Sequence, residues 1–387
     1  MNARRISYLL VAVLVVATTL ISACAPAATP APTQPPAPTQ APAPTQPPAP
    51  TKAPEPTKAP EPTKAPEPTK PPAPAPTATV PPAKCEKLPN MPTVKAGELG
   101  SPEKPIIIIF VPSGDVPTIT KAGNETADCL SKITGLSYKI EVGTSYAAAI
   151  EAMGGGKAHL SFLATFAAIL AKEKYGVEPA LVSQRKYATN DIDPDKALKD
   201  QLEPFYKGQF ITKKGSGIKT LADLKGKTFC FVDPTSTSGS VIPQIVLKAN
   251  GINPEKDLKA IQYAGSHDNV AIAVYKGDCD AGVTYIDVRA TSATVQKAAP
   301  DILDKTEIFF VTDRIPNDGM QSAKGLDAKL KTATVDGLLS MMADAGGKAV
   351  VRRAYSYDAL QKVDATFYDP FSALMKKAGV DPATLFK

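Results

Sequence analysis

Apolar and polar positions along residues 105–285 alternate between a strand pattern and a helix pattern. Residues 105–111 (PIIIIFV) form a continuous β-branched run, which is typical of a strand buried on both faces of a parallel sheet. The same analysis predicts further strands at 137–142, 160–163 and 180–184, and helices at 119–134, 147–153 and 166–174. Strands that alternate with helices in this way predict an α/β fold with parallel sheets.

A second run of strands and helices begins at residues 205–212 (FYKGQFIT). Its further strands are predicted at 228–233, 260–264 and 281–285, and its helices at 221–224, 240–250 and 269–276. Residues 148–163 and 270–285 each show a helix, a glycine turn and a strand, which indicates two α/β lobes of similar design. Residues 326–387 have a mostly helical pattern, and we expect them to pack back on the first lobe.

The segment before the first predicted strand has a different composition. Residues 25–83 consist almost entirely of Pro, Ala, Thr, Gln and Lys, and the repeat TKAPEP begins at Thr51, Thr57 and Thr63. Such a tract has few apolar groups to bury and cannot offset the entropy that it would lose on ordering. It therefore predicts an extended, polyproline-like and disordered tether.

The N-terminus has the features of a secretory leader. Arg4 and Arg5 precede an apolar segment at 9–21, which is short for a membrane-spanning helix. The segment ends in Ile-Ser-Ala-Cys, which resembles a bacterial lipoprotein cleavage site and implies cleavage before Cys24 and acylation of that cysteine. An uncleaved signal anchor is the alternative, and both interpretations place the folded region outside the cytoplasm. A lipidated cysteine followed by a long tether describes a soluble domain attached to the bacterial cell membrane.

These patterns predict the organisation of the whole 387-residue chain. The folded part holds about 300 residues, enough for two lobes of ordinary size. The predicted segments are a signal peptide at 1–23, the lipidated cysteine with its tether at 24–83, a first lobe at 84–206, a second lobe at 207–314, and a C-terminal segment at 315–387 that returns to the first lobe.

The composition excludes several classes of function. The formal net charge of +6 is mild, Trp is absent and no dense basic stripe occurs, so nucleic-acid binding is not expected. His159 and His267 are the only histidines, and neither has a second imidazole at ligand spacing, so we predict no metal site and no cofactor. His159 lies at the start of a predicted strand, where a structural role is expected.

Four cysteines fall in the predicted folded region: Cys85, Cys129, Cys230 and Cys279. In an oxidising compartment four cysteines allow three complete pairings. Sequence order favours a Cys85–Cys129 bridge in the first lobe and a Cys230–Cys279 bridge in the second. Four buried free thiols are the alternative.

One hydroxyl-rich stretch stands out, at residues 233–244 (DPTSTSGSVIPQ) between a predicted strand and a predicted helix. Its backbone N–H groups would lie at a helix N-terminus, where the dipole is positive and the donors are unsatisfied. The hydroxyls of Ser236, Thr237 and Ser238 add donors at the same point, which predicts a site for a tetrahedral oxyanion. An ordinary N-cap is the alternative, although a single Ser would suffice for it.

His267 lies in a similar position, after a predicted strand and before a predicted helix. Open α/β sheets place ligands at the carboxyl ends of their strands, so we expect His267 to help bind the ligand. A hydrolase that used Ser238 and His267 is an alternative from another class. The stretch lacks the GxSxG elbow of such enzymes, and three adjacent hydroxyls suit a ligand better than a single nucleophile, so we predict that the protein is not an enzyme.

The stretch DPTSTSGSVIP (233–243), together with AGSHDNVAIAVYKGDCDAGV (264–283), resembles the phosphonate/phosphite/phosphate substrate-binding proteins of ABC importers. TSYAAAIEAM (144–153) resembles another stretch of that family, and the resemblance covers about 105–318 and most of the tail after it. It implies a type II periplasmic-binding-protein fold, in which a hinge joins two lobes that flank a ligand cleft.

The resemblance also implies roles for individual residues. Ser236, Thr237, Ser238 and His267 match residues that hold phosphoryl oxygens, Tyr146 and Tyr206 match cleft tyrosines, and Asp287 and Asp318 match acidic positions that can face an amine on the ligand. The two acids thus predict tolerance for an aminoalkyl group. The sequence departs from the family in places: Phe166 lies near a usual tyrosine position, His159 replaces an aspartate, and the acidic insert around 190–204 is expected to reshape the cleft mouth.

The predicted function is that of a lipid-anchored, extracytoplasmic solute-binding protein. It would capture phosphonate, phosphite or phosphate in the cleft between the lobes and deliver it, as a monomer, to an ABC permease in the membrane. A ligand sensor or surface-interaction module on a proline-rich stalk is the main alternative.

Overall fold

The structure of the chain is a computed structural model that describes residues 80–381. The predicted signal peptide, Cys24 and the predicted tether up to residue 79 lie outside the described residues, as do residues 382–387. Between residues 80 and 381, no helix is both long enough and apolar enough to cross a membrane.

The first lobe is built on a seven-stranded sheet, and its N-terminal elements alternate as the hydrophobic pattern predicts. In chain order they are β1 (Ile106–Phe110), α1 (Val116–Thr134), β2 (Tyr138–Val142), α2 (Tyr146–Gly154), β3 (Leu160–Leu163), α3 (Thr165–Tyr175), β4 (Glu178–Lys186), a 3₁₀ turn (Lys196–Leu198) and β5 (Leu202–Glu203). A two-residue strand, β6 (Phe205–Tyr206), then leads out of this lobe.

The second lobe is built on a five-stranded sheet. Its elements are β7 (Gly208–Lys213), a 3₁₀ turn (Leu221–Leu224), β8 (Thr228–Phe231), a π turn (Thr237–Val241), α4 (Ile242–Ala249), α5 (Pro254–Asp257), β9 (Ala260–Tyr263), α6 (His267–Lys276), β10 (Ala281–Tyr285), α7 (Val288–Thr291), α8 (Ala293–Ala298), α9 (Ile302–Lys305) and β11 (Thr306–Val311). The strands lie in the order β11-β7-β10-β8-β9.

The rest of the chain crosses back to the first sheet. Its elements are β12 (Ile315–Pro316), β13 (Gly319–Ser322), α10 (Ala328–Ala343), α11 (Ala345–Tyr355), β14 (Ala359–Lys362) and α12 (Asp369–Lys377). Strand β12 pairs with β6, so the two crossings between the sheets run side by side. Strands β13 and β14 complete the first sheet, whose order is β14-β4-β13-β3-β1-β2 with β5 paired to β4.

Both sheets combine parallel and antiparallel pairs, whereas the strand pattern predicts parallel sheets. Strand β1 is parallel to β2 and β3, and β8 is parallel to β9 and β10. Strand β13 lies antiparallel between β3 and β4, with Gly319 opposite both Leu163 and Val182. A Cβ atom on Gly319 would lie 2.0 Å from the carbonyl oxygen of Leu181, so only glycine fits where β13 begins between its neighbours.

Local sequence explains where helix α1 begins and ends. Asp115 caps it by accepting a hydrogen bond from the Thr118 backbone N–H, and a proline follows in the first turn. Gly135 ends the helix in the left-handed conformation, with φ of 76°. The apolar stripe of the helix, including Ile119 and Leu130, is buried against the first sheet, and each such side chain contributes about 1.5–3 kcal/mol.

One cluster of buried apolar side chains includes residues from both lobes. The first lobe contributes Ile109 and Phe166, and the second contributes Val232 and Val270, among others. The apolar core therefore continues across the boundary between the two sheets, and it holds the carboxyl ends of their parallel strands close together.

The structure joins Cys85 to Cys129 and Cys230 to Cys279 by disulfide bonds, with Cα–Cα distances of 5.1 and 5.9 Å. The first bond ties the segment that precedes β1 to helix α1. The second links β8 to the turn before β10. Each bond closes a loop of more than forty residues, for which the loss of chain entropy in the unfolded state is worth about 4 kcal/mol.

Candidate functional site

The hydroxyl-rich stretch forms the strand-to-helix turn that the sequence predicts, between β8 and α4. The helix begins earlier than the predicted start near residue 240, because one π turn (Thr237–Val241) precedes α4. Ser236 is the N-cap residue, and Ser236, Thr237 and Ser238 are all almost fully buried. The first N–H groups of this helix have no acceptor inside it, so hydroxyl and backbone donors converge at one point.

Gly239 allows this turn to pack against the preceding strand. A Cβ atom at position 239 would lie 2.4 Å from Cγ2 of Val232 and 2.8 Å from Oγ of Ser236. The Val232 backbone N–H donates to the Gly239 carbonyl oxygen at 2.9 Å. These contacts fix the backbone of the turn that carries the hydroxyls of Ser236, Thr237 and Ser238.

Two tyrosines face this turn. The Tyr146 hydroxyl, at the start of α2, forms a hydrogen bond with Ser236, and the Tyr206 hydroxyl, in β6, interacts with Ser238 and Thr237. Burial raises the pKa of Tyr146 well above its usual value, and burial together with the charge of Asp318 raises the pKa of Tyr206 to about 12. Both phenols are therefore neutral and keep the proton that a donor needs.

Backbone contacts hold the first lobe against the turn. The Tyr146 N–H donates to Oδ2 of Asp233 at 3.3 Å, and the Phe166 N–H donates to Oγ1 of Thr237 at 2.8 Å. Asp233 also accepts from the N–H and the hydroxyl of Thr235 at 2.8 Å, which orders the turn. Phe166, which departs from the family pattern, thus contributes its backbone donor to the site.

His267 is the first residue of α6, and its side chain is only 4% exposed. Its Nδ1 accepts a hydrogen bond from the Tyr285 N–H at 3.0 Å, which places the proton of the neutral ring on Nε2. Burial, with a contribution from the charge of Arg185, lowers the pKa of His267 to about 3. The His267 side chain is therefore a neutral Nε2–H donor at physiological pH. The backbone N–H of His267 donates to the carbonyl oxygen of Ser113 in the first lobe at 3.0 Å.

The other histidine has the structural role expected from the sequence. Nδ1 of His159 accepts a hydrogen bond from the Ile107 N–H at 3.0 Å, beside the parallel strands β1 and β3. Within residues 80–381, no group of three or more His, Cys, Asp or Glu side chains is placed to hold a metal ion.

The two acidic positions implied by the resemblance both have arginine partners. Asp318 accepts a hydrogen bond from Nη2 of Arg185 at 2.6 Å. Asp287 accepts from Nε of Arg289 at 3.3 Å and from Nε2 of Gln209 at 2.7 Å. The negative charge of each carboxylate is thus balanced by an arginine within the protein.

Sequence reasoning missed Arg185. It lies in β4, and its guanidinium carbon is 5.6 Å from the centre of the Tyr206 ring and 4.8 Å from that of Tyr357. The only signal in the sequence was its position near the carboxyl end of a predicted strand, the end at which α/β sheets bind ligands. Its charge acts on His267, so it belongs to the electrostatic surroundings of the candidate site.

The acidic insert around 190–204 is tied to the two crossings between the sheets. Lys207, next to Tyr206, contacts Asp193 at 2.8 Å and Asp195 at 2.7 Å, and Arg314 contacts Asp195 at 2.7 Å from the second crossing. Hydrogen bonds from Arg314 and Lys207 hold the pKa of Asp195 well below its usual value. The insert therefore braces the crossings beside Tyr206.

These side chains form a set of neutral hydrogen-bond donors beside a helix N-terminus. Such a set suits an oxyanion, whose oxygens accept several hydrogen bonds at once. It does not suit a hydrolase, because Nδ1 of His267 is taken by the Tyr285 N–H and Nε2 carries the proton, so neither nitrogen is ready to act as a base for Ser238.

Known proteins resemble this chain in sequence and in fold. The model of the family described as the periplasmic substrate-binding protein of phosphonate ABC transporters matches residues 108–368. The phosphate-import protein PhnD of Mycolicibacterium smegmatis is 30% identical over 193 residues, which is 48% of this chain and 56% of that protein. The match thus spans little more than half the length of that relative.

Two solved structures extend the comparison. A binding-protein component of an ABC phosphonate transporter from Pseudomonas aeruginosa has a TM-score of 0.60 and 21% identity, covering 71% of this chain and 86% of its own. PhnD1 of Prochlorococcus marinus, solved in complex with methylphosphonate, has a TM-score of 0.57 and 18% identity, covering 71% and 98%. At such identities the likeness concerns the fold, which is the two-lobed type II periplasmic-binding-protein fold. With the family match over more than half of its residues, the chain belongs to the family of phosphonate-binding periplasmic proteins of ABC transporters, a family of transport proteins rather than enzymes.

Proposed function

We propose that this protein captures a phosphonate, phosphite or phosphate ion in the cleft between its lobes and delivers it to an ABC permease. The observation that carries the proposal is the convergence of three buried hydroxyls at a helix N-terminus (Ser236, Thr237 and Ser238) with two neutral phenols from Tyr146 and Tyr206. The neutral Nε2–H of His267 adds a further donor. Neutral donors and a helix dipole stabilise an oxyanion without a paired metal or lysine.

Contacts between the lobes support a mechanism of capture by closure. The Phe166 N–H reaches Thr237, the Tyr146 N–H reaches Asp233, and the His267 N–H reaches Ser113, each from one lobe to the other. Closure brings donors from both lobes to one point and excludes water, which strengthens each hydrogen bond to a bound anion. The names of the relatives supply the candidate ions, phosphate and methylphosphonate.

Attachment to the membrane completes the proposed function. Acylation of Cys24 and the proline-rich stretch at 25–83 would keep the binding lobes close to the permease. Labelling of cells with a fatty-acid probe tests this part: the wild-type protein should incorporate the probe and Cys24→Ser should not.

Thermal unfolding with candidate ligands tests capture. The full chain is heated alone and with phosphate, phosphite, methylphosphonate or 2-aminoethylphosphonate, with sulfate as the comparison anion. At least one phosphorus oxyanion should raise the unfolding temperature, because a ligand present at 100 times its Kd adds about 2.7 kcal/mol of stability. The shift should disappear in Ser238→Ala and persist in Ser131→Ala, a matched variant in α1 away from the turn.

Two outcomes would overturn the proposal. If none of the phosphorus oxyanions shifted the unfolding temperature of the wild-type chain, capture of this class of ligand would be wrong. If the protein hydrolysed a phosphate ester and lost that activity in Ser238→Ala, the enzyme alternative would replace it.

A further inference from the structure

The carboxylate of Asp318 is held from both sides. Oδ1 accepts hydrogen bonds from Nη2 of Arg185 at 2.6 Å and from the Ser183 hydroxyl at 3.4 Å, and Oδ2 accepts from the Tyr357 hydroxyl at 2.9 Å. An ammonium group would have to compete with these donors for the carboxylate.

Arg185 is itself fixed in place. Nη1 donates to Oδ1 of Asn317 at 2.6 Å, Nε donates to the Tyr355 carbonyl oxygen at 3.4 Å, and the guanidinium packs on the Tyr357 ring. A planar guanidinium held by several partners in this way loses little entropy when it pairs with a carboxylate. The pair with Asp318 is therefore part of the preformed structure.

The pair lies within electrostatic reach of the oxyanion donors. The guanidinium of Arg185 lies beside the ring of Tyr206, and the charge of Asp318 acts on both Tyr146 and Tyr206. Both charges of the pair therefore belong to the surroundings of a ligand seated against Ser236, Thr237 and Ser238.

Asp287 offers no alternative partner for an amine. Its oxygens accept from Arg289 and Gln209, and Nη1 of Arg289 donates to the hydroxyl and the carbonyl oxygen of Thr306 at 3.1 Å. Removing one partner of a buried ion pair is strongly destabilising, because it leaves the other charge buried and unpaired. An aminoalkyl ligand would have to compete with the partners of one of these carboxylates or leave its ammonium group desolvated without a counter-charge.

We propose that Arg185 is a specificity-determining positioning residue, which occupies Asp318 and restricts the cleft to phosphorus oxyanions that carry no amino group. This inference rests on the proposed function, and it replaces the tolerance for an aminoalkyl group that the sequence predicts. Arg185 acts through Asp318: it pairs with the carboxylate that would otherwise be free to bind an ammonium group.

The test is a ratio of affinities for two ligands that differ by one amino group. Isothermal titration calorimetry measures the Kd values of ethylphosphonate and 2-aminoethylphosphonate, with methylphosphonate as a reference for binding. The wild-type chain should bind the amino compound at least tenfold more weakly than ethylphosphonate. In Arg185→Met the ratio of the Kd of 2-aminoethylphosphonate to that of ethylphosphonate should fall at least tenfold, because the substitution frees the carboxylate of Asp318.

Three controls separate specificity from a merely structural effect. Arg185→Lys keeps the cation and should keep the wild-type ratio. The double variant Arg185→Met/Asp318→Asn has no carboxylate to free and should not gain affinity for the amino compound. Thermal unfolding of each variant shows whether it is folded. The ratio of the two Kd values in the wild-type chain tests the proposal even if a variant does not fold.

The outcomes distinguish this inference from the proposed function. A wild-type chain that bound no phosphorus oxyanion would overturn the proposed function itself. A wild-type chain that bound methylphosphonate, but bound 2-aminoethylphosphonate as tightly as ethylphosphonate, would overturn the role of Arg185 alone. An unchanged ratio in Arg185→Met would do the same.

Discussion

Burial determines what His267 can do in the folded protein. The imidazole is almost fully buried, and its Nδ1 accepts a hydrogen bond from the Tyr285 N–H. The positive charge of Arg185 also disfavours a positive charge on the imidazole. A residue that titrates near neutrality in water is thereby kept neutral and in one tautomer. A fixed neutral Nε2–H keeps its ability to donate a hydrogen bond across the whole physiological pH range.

The lowered pKa of His267 predicts how stability depends on pH. The folded-state pKa is about 3 and the unfolded value is about 6.5, so the unfolded chain takes up a proton first. The stability from this group is present above pH 6.5 and is lost as the pH falls towards 3. Between pH 7 and pH 5 the wild-type chain should lose about 2 kcal/mol more than His267→Gln, measured by urea unfolding. Equal losses in the two chains would contradict a buried neutral imidazole.

Single residues of the site differ in how well the sequence predicts them. Ser236, Thr237 and Ser238 share one local motif, and their place at a helix N-terminus follows from the strand and helix patterns on either side. Arg185 and Asp318 are 133 positions apart. Their pairing depends on β13 entering the first sheet beside β4, which no local pattern records.

At the scale of elements, hydrophobic periodicity predicted the alternating strands and helices up to β10, but it predicted none of the strands that follow, among them β13 and β14. Both have only four residues, GMQS and ALQK, and neither shows the alternation of apolar and polar positions that marks a strand. Their strand conformation comes from pairing with β3 and β4. Such strands are defined by their neighbours, so a reading of the local sequence predicts a mostly helical tail.

The insert that braces the crossings provides a test at this scale. Lys207 is 2% exposed and pairs with the fully buried side chain of Asp193, so Lys207→Met would leave that carboxylate unpaired. The free energy of unfolding should fall by about 3–5 kcal/mol in urea titrations, and Lys207→Met/Asp193→Asn should recover part of the loss. Lys362→Met, which breaks an exposed pair with Asp336, serves as the matched control and should change stability by less than about 1 kcal/mol. A Lys207→Met variant as stable as that control would show that the insert does not brace the crossings.

At the scale of the whole molecule, the site exists only where the two lobes meet. The hydroxyls come from the second lobe, while Tyr146 and the Phe166 N–H come from the first. Neither lobe alone presents all of these groups, so we expect ligand binding and closure to be linked: a change that weakens closure should also weaken binding.

Thr237→Val tests that linkage. The buried Phe166 N–H donates to the Thr237 hydroxyl across the lobes, and valine has the same shape without an acceptor. An unsatisfied buried N–H costs about 1–3 kcal/mol, so the Kd of the ligand should rise about 5- to 150-fold in calorimetry. In the ligand-free chain, the Phe166 amide should also exchange its hydrogen faster than in the wild type, because the closed arrangement opens more often.

Thr126→Val is the matched control: the Thr126 hydroxyl donates to the Ala122 carbonyl oxygen inside α1, so neither the Kd nor the Phe166 exchange should change. Unchanged exchange at Phe166 in Thr237→Val would mean that this contact does not hold the lobes together, whatever happened to the affinity.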